Sequence, residues 1–104
     1  MKDHEYHALV DAFFQYVEDT VDEQYPDIDC ERAGGILTLA FDNKTKVILN
    51  KQEPLHQIWV ATRENGYHFD LQGDRWVDNR FGNELKALLG KACSDQSGEP
   101  VQFP

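Results

Sequence analysis

The side chains most able to do chemistry in this chain are carboxylates, and they are unevenly spread. Of nineteen Asp and Glu, ten lie within residues 1–31: Asp3, Glu5, Asp11, Glu18, Asp19, Asp22, Glu23, Asp27, Asp29 and Glu31. Lys2 is the one base there, whereas residues 32–104 hold nine acids and nine bases. The whole formal charge of -9 therefore belongs to the first third of the chain. Acids placed for solubility alone would be interspersed with bases. Crowded carboxylates repel one another, so the arrangement costs stability unless something positive meets it. Exposed multi-carboxylate surfaces suit hard cations such as Fe³⁺, Mn²⁺, Ca²⁺ and Mg²⁺, and His4 and His7 add donors that also serve Fe²⁺ or Co²⁺. The spacing is not that of a closed site. There is no EF-hand loop, and His4-Glu5-Tyr6-His7 is one residue short of a zincin helix pair. Any metal binding is expected to be weak, shallow and multi-site. The plainer alternative is a solvated acidic helix face with no metal role.

A second constellation sits mid-chain. Gln57-Ile58-Trp59-Val60-Ala61 alternates, so Ile58 and Val60 suit a core while Gln57 and Trp59 share the opposite face. In the next strand His68 and Asp70 point outward by the same rule, and Asn50, Lys51 and Gln52 end the preceding one. A Trp ringed by Asn, Gln, Lys and His has the make-up of a protein-binding hot spot. The competing reading is a Trp lying flat to shield strand hydrogen bonds on an open sheet face.

These residues need positioning elements. Tyr6, Leu9, Val10, Phe13, Val17 and Val21 recur at three- and four-residue steps, predicting a helix over 4–23 with Asp3 as N-cap and Pro26 as its stop. On that helix His4, His7, Asp11, Glu18 and Asp22 fall in a narrow stripe, expected roughly opposite the apolar face. Asp27, Asp29 and Glu31 alternate with Ile28 and Cys30 in the strand that follows. If that strand lies at the sheet edge beside the helix, the two acidic rows merge. Strands are expected around 37–41, 46–50, 57–61, 67–71 and 75–77, separated by Gly34-Gly35, Asp42-Asn43, Pro54, Asn65-Gly66 and Gly73-Asp74. A second helix is expected over 83–93, with Leu85, Leu88, Leu89 and Ala92 as its stripe, and Val101 and Phe103 are expected to pack back on the body. Helix, about six antiparallel strands, helix: this order predicts an α+β fold, a two-layer αβ sandwich with one sheet face covered by the N- and C-terminal helices. The length predicts one domain over 1–104.

Composition excludes several classes. A pI near 4.7 argues against nucleic-acid or anionic-membrane binding, which needs clustered Lys and Arg. No apolar run approaches the roughly 20 residues of a membrane span, and the N-terminus has neither signal-peptide nor transit character, so a cytoplasmic protein is expected. Cys30 and Cys93 fit no metal or redox motif and are expected to be buried, inert thiols, with a bridge between them left open. No Gly-x-Ser-x-Gly elbow, phosphate loop or Cys/His nucleophile pair is present, so no enzyme is expected.

The run Val47-Ile48-Leu49-Asn50-Lys51-Gln52-Glu53-Pro54, continued by Gln57-Ile58-Trp59-Val60-Ala61 and Tyr67-His68-Phe69-Asp70, resembles the frataxin family. Trp76, Arg80, Gly82 and Leu85–Leu88–Leu89 also fit. The short N-terminus and Asp27-Ile28-Asp29-Cys30-Glu31 before Gly34-Gly35 resemble its bacterial branch, and the likeness covers nearly the whole chain. It implies an αβ sandwich acting in iron–sulfur cluster assembly as an iron-binding adaptor or regulator. By the same resemblance Fe²⁺ and Fe³⁺ bind weakly on an acidic ridge of Asp3, Glu18, Asp19, Asp22, Glu23, Asp27, Asp29 and Glu31, with other divalent cations as substitutes. The implied partners are the cysteine desulfurase and its scaffold protein, met through Asn50, Lys51, Gln52, Gln57 and Trp59, with His68 standing where some relatives carry Arg. The connection around Gln24–Pro26 is short for the family. A monomer is expected, with metal able to bridge two ridges. Two alternatives stand beside this reading: a metal-independent regulator of the desulfurase, and a ferroxidase or iron store. The latter would want Glu-x-x-His pairs on two helices, which the sequence lacks.

Overall fold

A computed structural model describes residues 1–104. The chain runs through helix α1 (Asp3–Gln24), strands β1 (Asp29–Ala33), β2 (Ile36–Ala40) and β3 (Lys46–Gln52), and a 3-10 turn (Glu53–Leu55). Strands β4 (Gln57–Ala61), β5 (Gly66–Gln72) and β6 (Arg75–Asp78) and helix α2 (Leu85–Ser97) follow. The six strands pair antiparallel in simple sequence order, so β1 and β6 are the edges. Both helices cover one face, in the two-layer sandwich expected from the order of elements.

Alternation builds the core. Leu37, Leu39, Val47, Leu49, Ile58, Val60 and Phe69 are buried beneath the helices, while the residues between them face the other side. Helix α1 contributes Tyr6, Val10, Phe13, Phe14, Val17 and Val21. Leu9, expected in this face, is 43% exposed, and Phe14 is fully buried in its stead. The helix starts one residue earlier than expected. Lys2, not Asp3, is the N-cap, and its backbone N–H donates to Glu5 Oε1 at 3.0 Å. Asp3 and Glu5 then lie in the first turn, where the helix dipole favours negative charge.

Helix α2 is capped by Glu84, whose carboxylate accepts from the Lys86 N–H at 2.9 Å, and ends at Gly98 with φ of 77°. It runs four residues past the expected end because Gln96, polar but buried, has its amide satisfied. Its Nε2 donates to Thr45 Oγ1 and the Lys46 carbonyl, and its Oε1 accepts from the Arg63 N–H. The tail packs back as expected, burying Val101 and Phe103. It crosses α2 at Gly90, where a Cβ would sit 3.2 Å from the Val101 carbonyl oxygen, so a side chain there would require the tail to give by a few tenths of an ångström.

Candidate functional site

The acidic stripe of α1 is not opposite the buried face. With Phe14 in the core and Leu9 out of it, the buried arc is rotated toward the stripe, which lies on the flank of the helix overhanging β1 and β3. Basic side chains on the helix-covered side of the sheet can therefore reach it. Arg32 shares a face with Cys30 in β1; its Nε donates to Glu18 Oε1 at 2.8 Å, its Nη2 to the same oxygen at 2.5 Å, and its Nη1 lies 3.5 Å from Asp11 Oδ1. Lys51 Nζ sits 2.7 Å from Asp11 Oδ1 and donates to His7 Nδ1 at 3.0 Å. Lys51 is thus not on the open face with Asn50 and Gln52, as expected. Strand period turns it inward after Val47 and Leu49, and its side chain is only 15% exposed.

The histidines of this region are engaged or isolated. An ammonium can only donate, so His7 Nδ1 accepts, and Nε2 carries the proton that it donates to Glu53 Oε2 at 2.5 Å. Neither ring nitrogen offers a free lone pair to a cation. His56 Nε2 pairs with Asp3 Oδ1 at 2.8 Å. His4 is exposed and makes no hydrogen bond or ion pair.

The other acids are differently placed. No basic side-chain nitrogen comes within 4.0 Å of a carboxylate oxygen of Asp19, Asp22, Glu23, Asp27, Asp29 or Glu31; Asp19 alone has a side-chain partner, the Gln15 amide at 2.9 Å. They lie on the last turns of α1, on the connection after it and on edge strand β1, and the helical and strand rows meet at Asp29. Between the two elements runs an open groove of about 410 Å³ lined in part by Glu18, Asp19, Asp22 and Asp29. That is over ten times a water molecule's share of roughly 30 Å³. Nowhere in the chain do three His, Cys, Asp or Glu side chains converge where they could hold one ion. The chemistry available here is diffuse attraction of cations rather than closed coordination.

The open sheet face carries the second constellation. Ala33, Ile36, Asn50, Trp59 and His68 form one cross-strand row. Ile36 is 43% exposed. The Trp59 and His68 rings stack with centroids 4.1 Å apart and planes 10° from parallel. The Trp59 Nε1–H donates to Gln57 Oε1 at 2.8 Å, and Gln57 Nε2 donates to Asp70 Oδ1 at 2.9 Å. Gln52 lies opposite Gln57. Tyr6 joins this face to α1: its hydroxyl donates to the Gln57 carbonyl at 2.6 Å and accepts from the Gln52 N–H at 2.9 Å. Burial raises the Tyr6 pKa, which keeps the phenol proton that the first of these bonds needs.

Two features were not legible beforehand. Asp78, 2% exposed, ties the loop after β6: Oδ1 accepts from the Arg80 and Phe81 N–H groups and Oδ2 from that of Asn83. Burial pushes its pKa up, but the hydrogen bonds from Phe81, Asn83 and Arg80 outweigh burial and hold the carboxyl below its ordinary value. Arg32, the residue just past the acidic third, neutralises part of it. Cys30 is half-buried rather than buried, Cys93 fully buried, and both are free thiols. Burial, then the nearby Glu18 carboxylate, raises Cys30 to about 11, and burial raises Cys93 to about 12, which leaves both protonated and unreactive near neutrality.

No helix is long and apolar enough to cross a membrane. Residues 1–99 match the family model of the frataxin-like domain. The chain is 83% identical, over the full length of both, to the iron-sulfur cluster assembly protein CyaY of Aeromonas hydrophila. It is 60% identical to the protein of the same name from Tolumonas auensis, over 97% of each chain. Among solved structures, a frataxin from Psychromonas ingrahamii superposes with a TM-score of 0.94 at 43% identity, covering 100% of this chain and 99% of that one. A trimeric frataxin from Saccharomyces cerevisiae, complexed with ferrous iron, matches with a TM-score of 0.72 at 25% identity, over 95% and 88% of the two chains.

Proposed function

The chain belongs to the frataxin family, and from that premise we propose that it is a cytoplasmic, non-catalytic adaptor that regulates iron–sulfur cluster assembly. The name shared by its bacterial relatives and the ferrous complex of the yeast frataxin support this reading. Iron, as cargo, associates weakly with the unpaired carboxylates Asp19, Asp22, Glu23, Asp27, Asp29 and Glu31. The open sheet face of Asn50, Gln52, Gln57, Trp59 and His68 docks on the cysteine desulfurase and its scaffold. The observation that carries the proposal is the contrast along one surface: the fold supplies Arg32 and Lys51 to Glu18 and Asp11, and no base to six acids beside them. An unneutralised surface of this kind draws in cations and steers a basic partner, with an association weakened by salt.

Titration with Fe²⁺ under anaerobic conditions, followed by amide NMR shifts, tests the metal half. Changes centred on Asp19, Asp22, Glu23, Asp27, Asp29 and Glu31, with the Trp59 indole unmoved, are the expected result. Shifts centred on His7 and Asp11 would overturn it. A second reading, in which metal is incidental, is favoured by the lack of any three converging ligands. It requires that Trp59→Ala abolish desulfurase regulation while amide replacement of the six acids leaves that regulation intact.

A further inference from the structure

On the docking face the Asp70 carboxylate is hydrogen-bonded to Gln57, beside the row and outside it, and its place suggests a task. Gln57 is 9% exposed, and its side-chain amide is used at both ends on the sheet surface. Nε2 donates to Asp70 Oδ1 and Oε1 accepts from Trp59 Nε1–H. A carboxylate can only accept, so Asp70 dictates which end of the Gln57 amide turns toward it. The other end must then present oxygen toward the indole N–H. Without Asp70 the amide could flip, placing NH₂ against an indole that can only donate, and Trp59 would lose its one hydrogen bond. We infer that Asp70 is a positioning residue: acting through Gln57, it locks the Trp59 ring against His68, so that a protein partner meets a pre-oriented aromatic pair instead of a mobile indole.

The geometry favours this over a purely structural role for Asp70. The residues form a directional chain, carboxylate to amide to indole, in which every donor faces an acceptor. The chain ends on a ring held within 10° of parallel to His68. Trp59 and His68 occupy directly opposed positions on β4 and β5, so the stack bridges two strands at the centre of the open face. Fixing such a side chain before encounter removes part of the ordering entropy of association. The inference rests on the reading of this face as the docking surface, and its test can fail separately from that reading.

Three variants in a Trp76→Phe background, where Trp59 is the sole indole, make the test. Asp70→Ala removes the acceptor; Asp70→Asn keeps an oxygen that can accept from Gln57; Gln57→Glu keeps an acceptor for the indole but sets two carboxylates together. The indole N–H resonance and its solvent exchange report ring fixation, thermal unfolding reports the fold, and binding to the desulfurase–scaffold complex reports docking. Asp70→Ala is expected to speed indole N–H exchange and weaken binding by about two- to tenfold, the size of one net hydrogen bond. Asp70→Asn should restore both. Gln57→Glu should disturb both, because the repelled glutamate swings away. Unchanged indole exchange in Asp70→Ala would overturn the positioning role even if Trp59→Ala lost all binding. Faster exchange with unchanged binding would overturn the docking role of the lock, whereas unchanged binding in Trp59→Ala would refute the docking face itself.

Discussion

The two ends of the acidic surface are built from the same residue types and treated oppositely by the fold. Toward the N-terminus of α1 and along its flank, Asp3, Asp11 and Glu18 each meet a base: His56, Lys51 and Arg32. At its C-terminal turns and along β1, six acids meet none. Reach explains the difference, since Asp11 is 52% exposed and only Glu18, at 30%, is partly covered. The flank overhangs the sheet, where Lys51 and Arg32 turn toward the helix and meet Asp11 and Glu18. The far end hangs over an edge strand in open water, where a carboxylate is hydrated and its repulsion is moderated by solvent and salt. The paired end is thus structural. The unpaired end is where attraction to an outside cation is left unspent.

Perturbing the satisfied side should cost most. Asp78 is its extreme, a buried carboxylate answered wholly by backbone N–H groups. Asp78→Ala should destabilise the fold by about 3 kcal/mol, as for a broken buried charged network, checked by urea unfolding. Its depressed pKa gives the sign: the stability it confers is present above the ordinary carboxylate pKa and is lost as pH falls through the lowered folded-state value. The penalty of Asp78→Asn should therefore shrink in acid. A penalty that grew there would contradict the assignment.

Arg32→Gln comes next. It strips the base from Glu18 and weakens the hold on Asp11, moving the boundary between paired and unpaired ends up the helix. A loss of about 1–3 kcal/mol is expected, between the values for exposed and buried pairs, partly restored by salt in a thermal melt. Calcium should then stabilise this variant more than the parent. An equal response to calcium would mean that the paired carboxylates were already available to cations.

Smaller and opposite in sign is neutralisation of the unpaired end. Asp19→Asn, Asp22→Asn, Asp29→Asn and Glu31→Gln together should raise stability by about 1 kcal/mol at low ionic strength, with the gain disappearing at high salt. The parent should gain about 1 kcal/mol from a divalent cation at several times its dissociation constant, and the variant, which keeps only Glu23 and Asp27 of the six, clearly less. Equal calcium response in both proteins, by calorimetry at fixed ionic strength, would reduce the unpaired end to a solvated face.

Much of the architecture was legible from the chain. Period two in 57–61 and 67–71 and the Leu85–Leu88–Leu89 stripe located strands and helix because local geometry alone sets which side chains share a face. Where sequence and structure differ, the reason is local too. Leu9 and Phe14 both fit a helical period, and which is buried depends on how far the buried arc extends. Lys51 adjoins Asn50 and Gln52 in sequence, but alternation separates it from them in space. Nothing near Gln96 in sequence reveals that Thr45, Lys46 and Arg63 satisfy it in the core.

What the sequence determined by itself was the inventory and its order: a segregated charge of -9, alternating strands, two amphipathic helices and a Trp on an open face. Which carboxylates would be neutralised, and which indole would be held still, only the tertiary structure decided. Hydrogen bonds and ion pairs act over about 3 Å, whereas the partners that matter lie far apart along the chain: Arg32 14 residues from Glu18, Lys51 44 from His7, Asp70 13 from Gln57. Composition can count such groups, but only folding brings them within reach of one another.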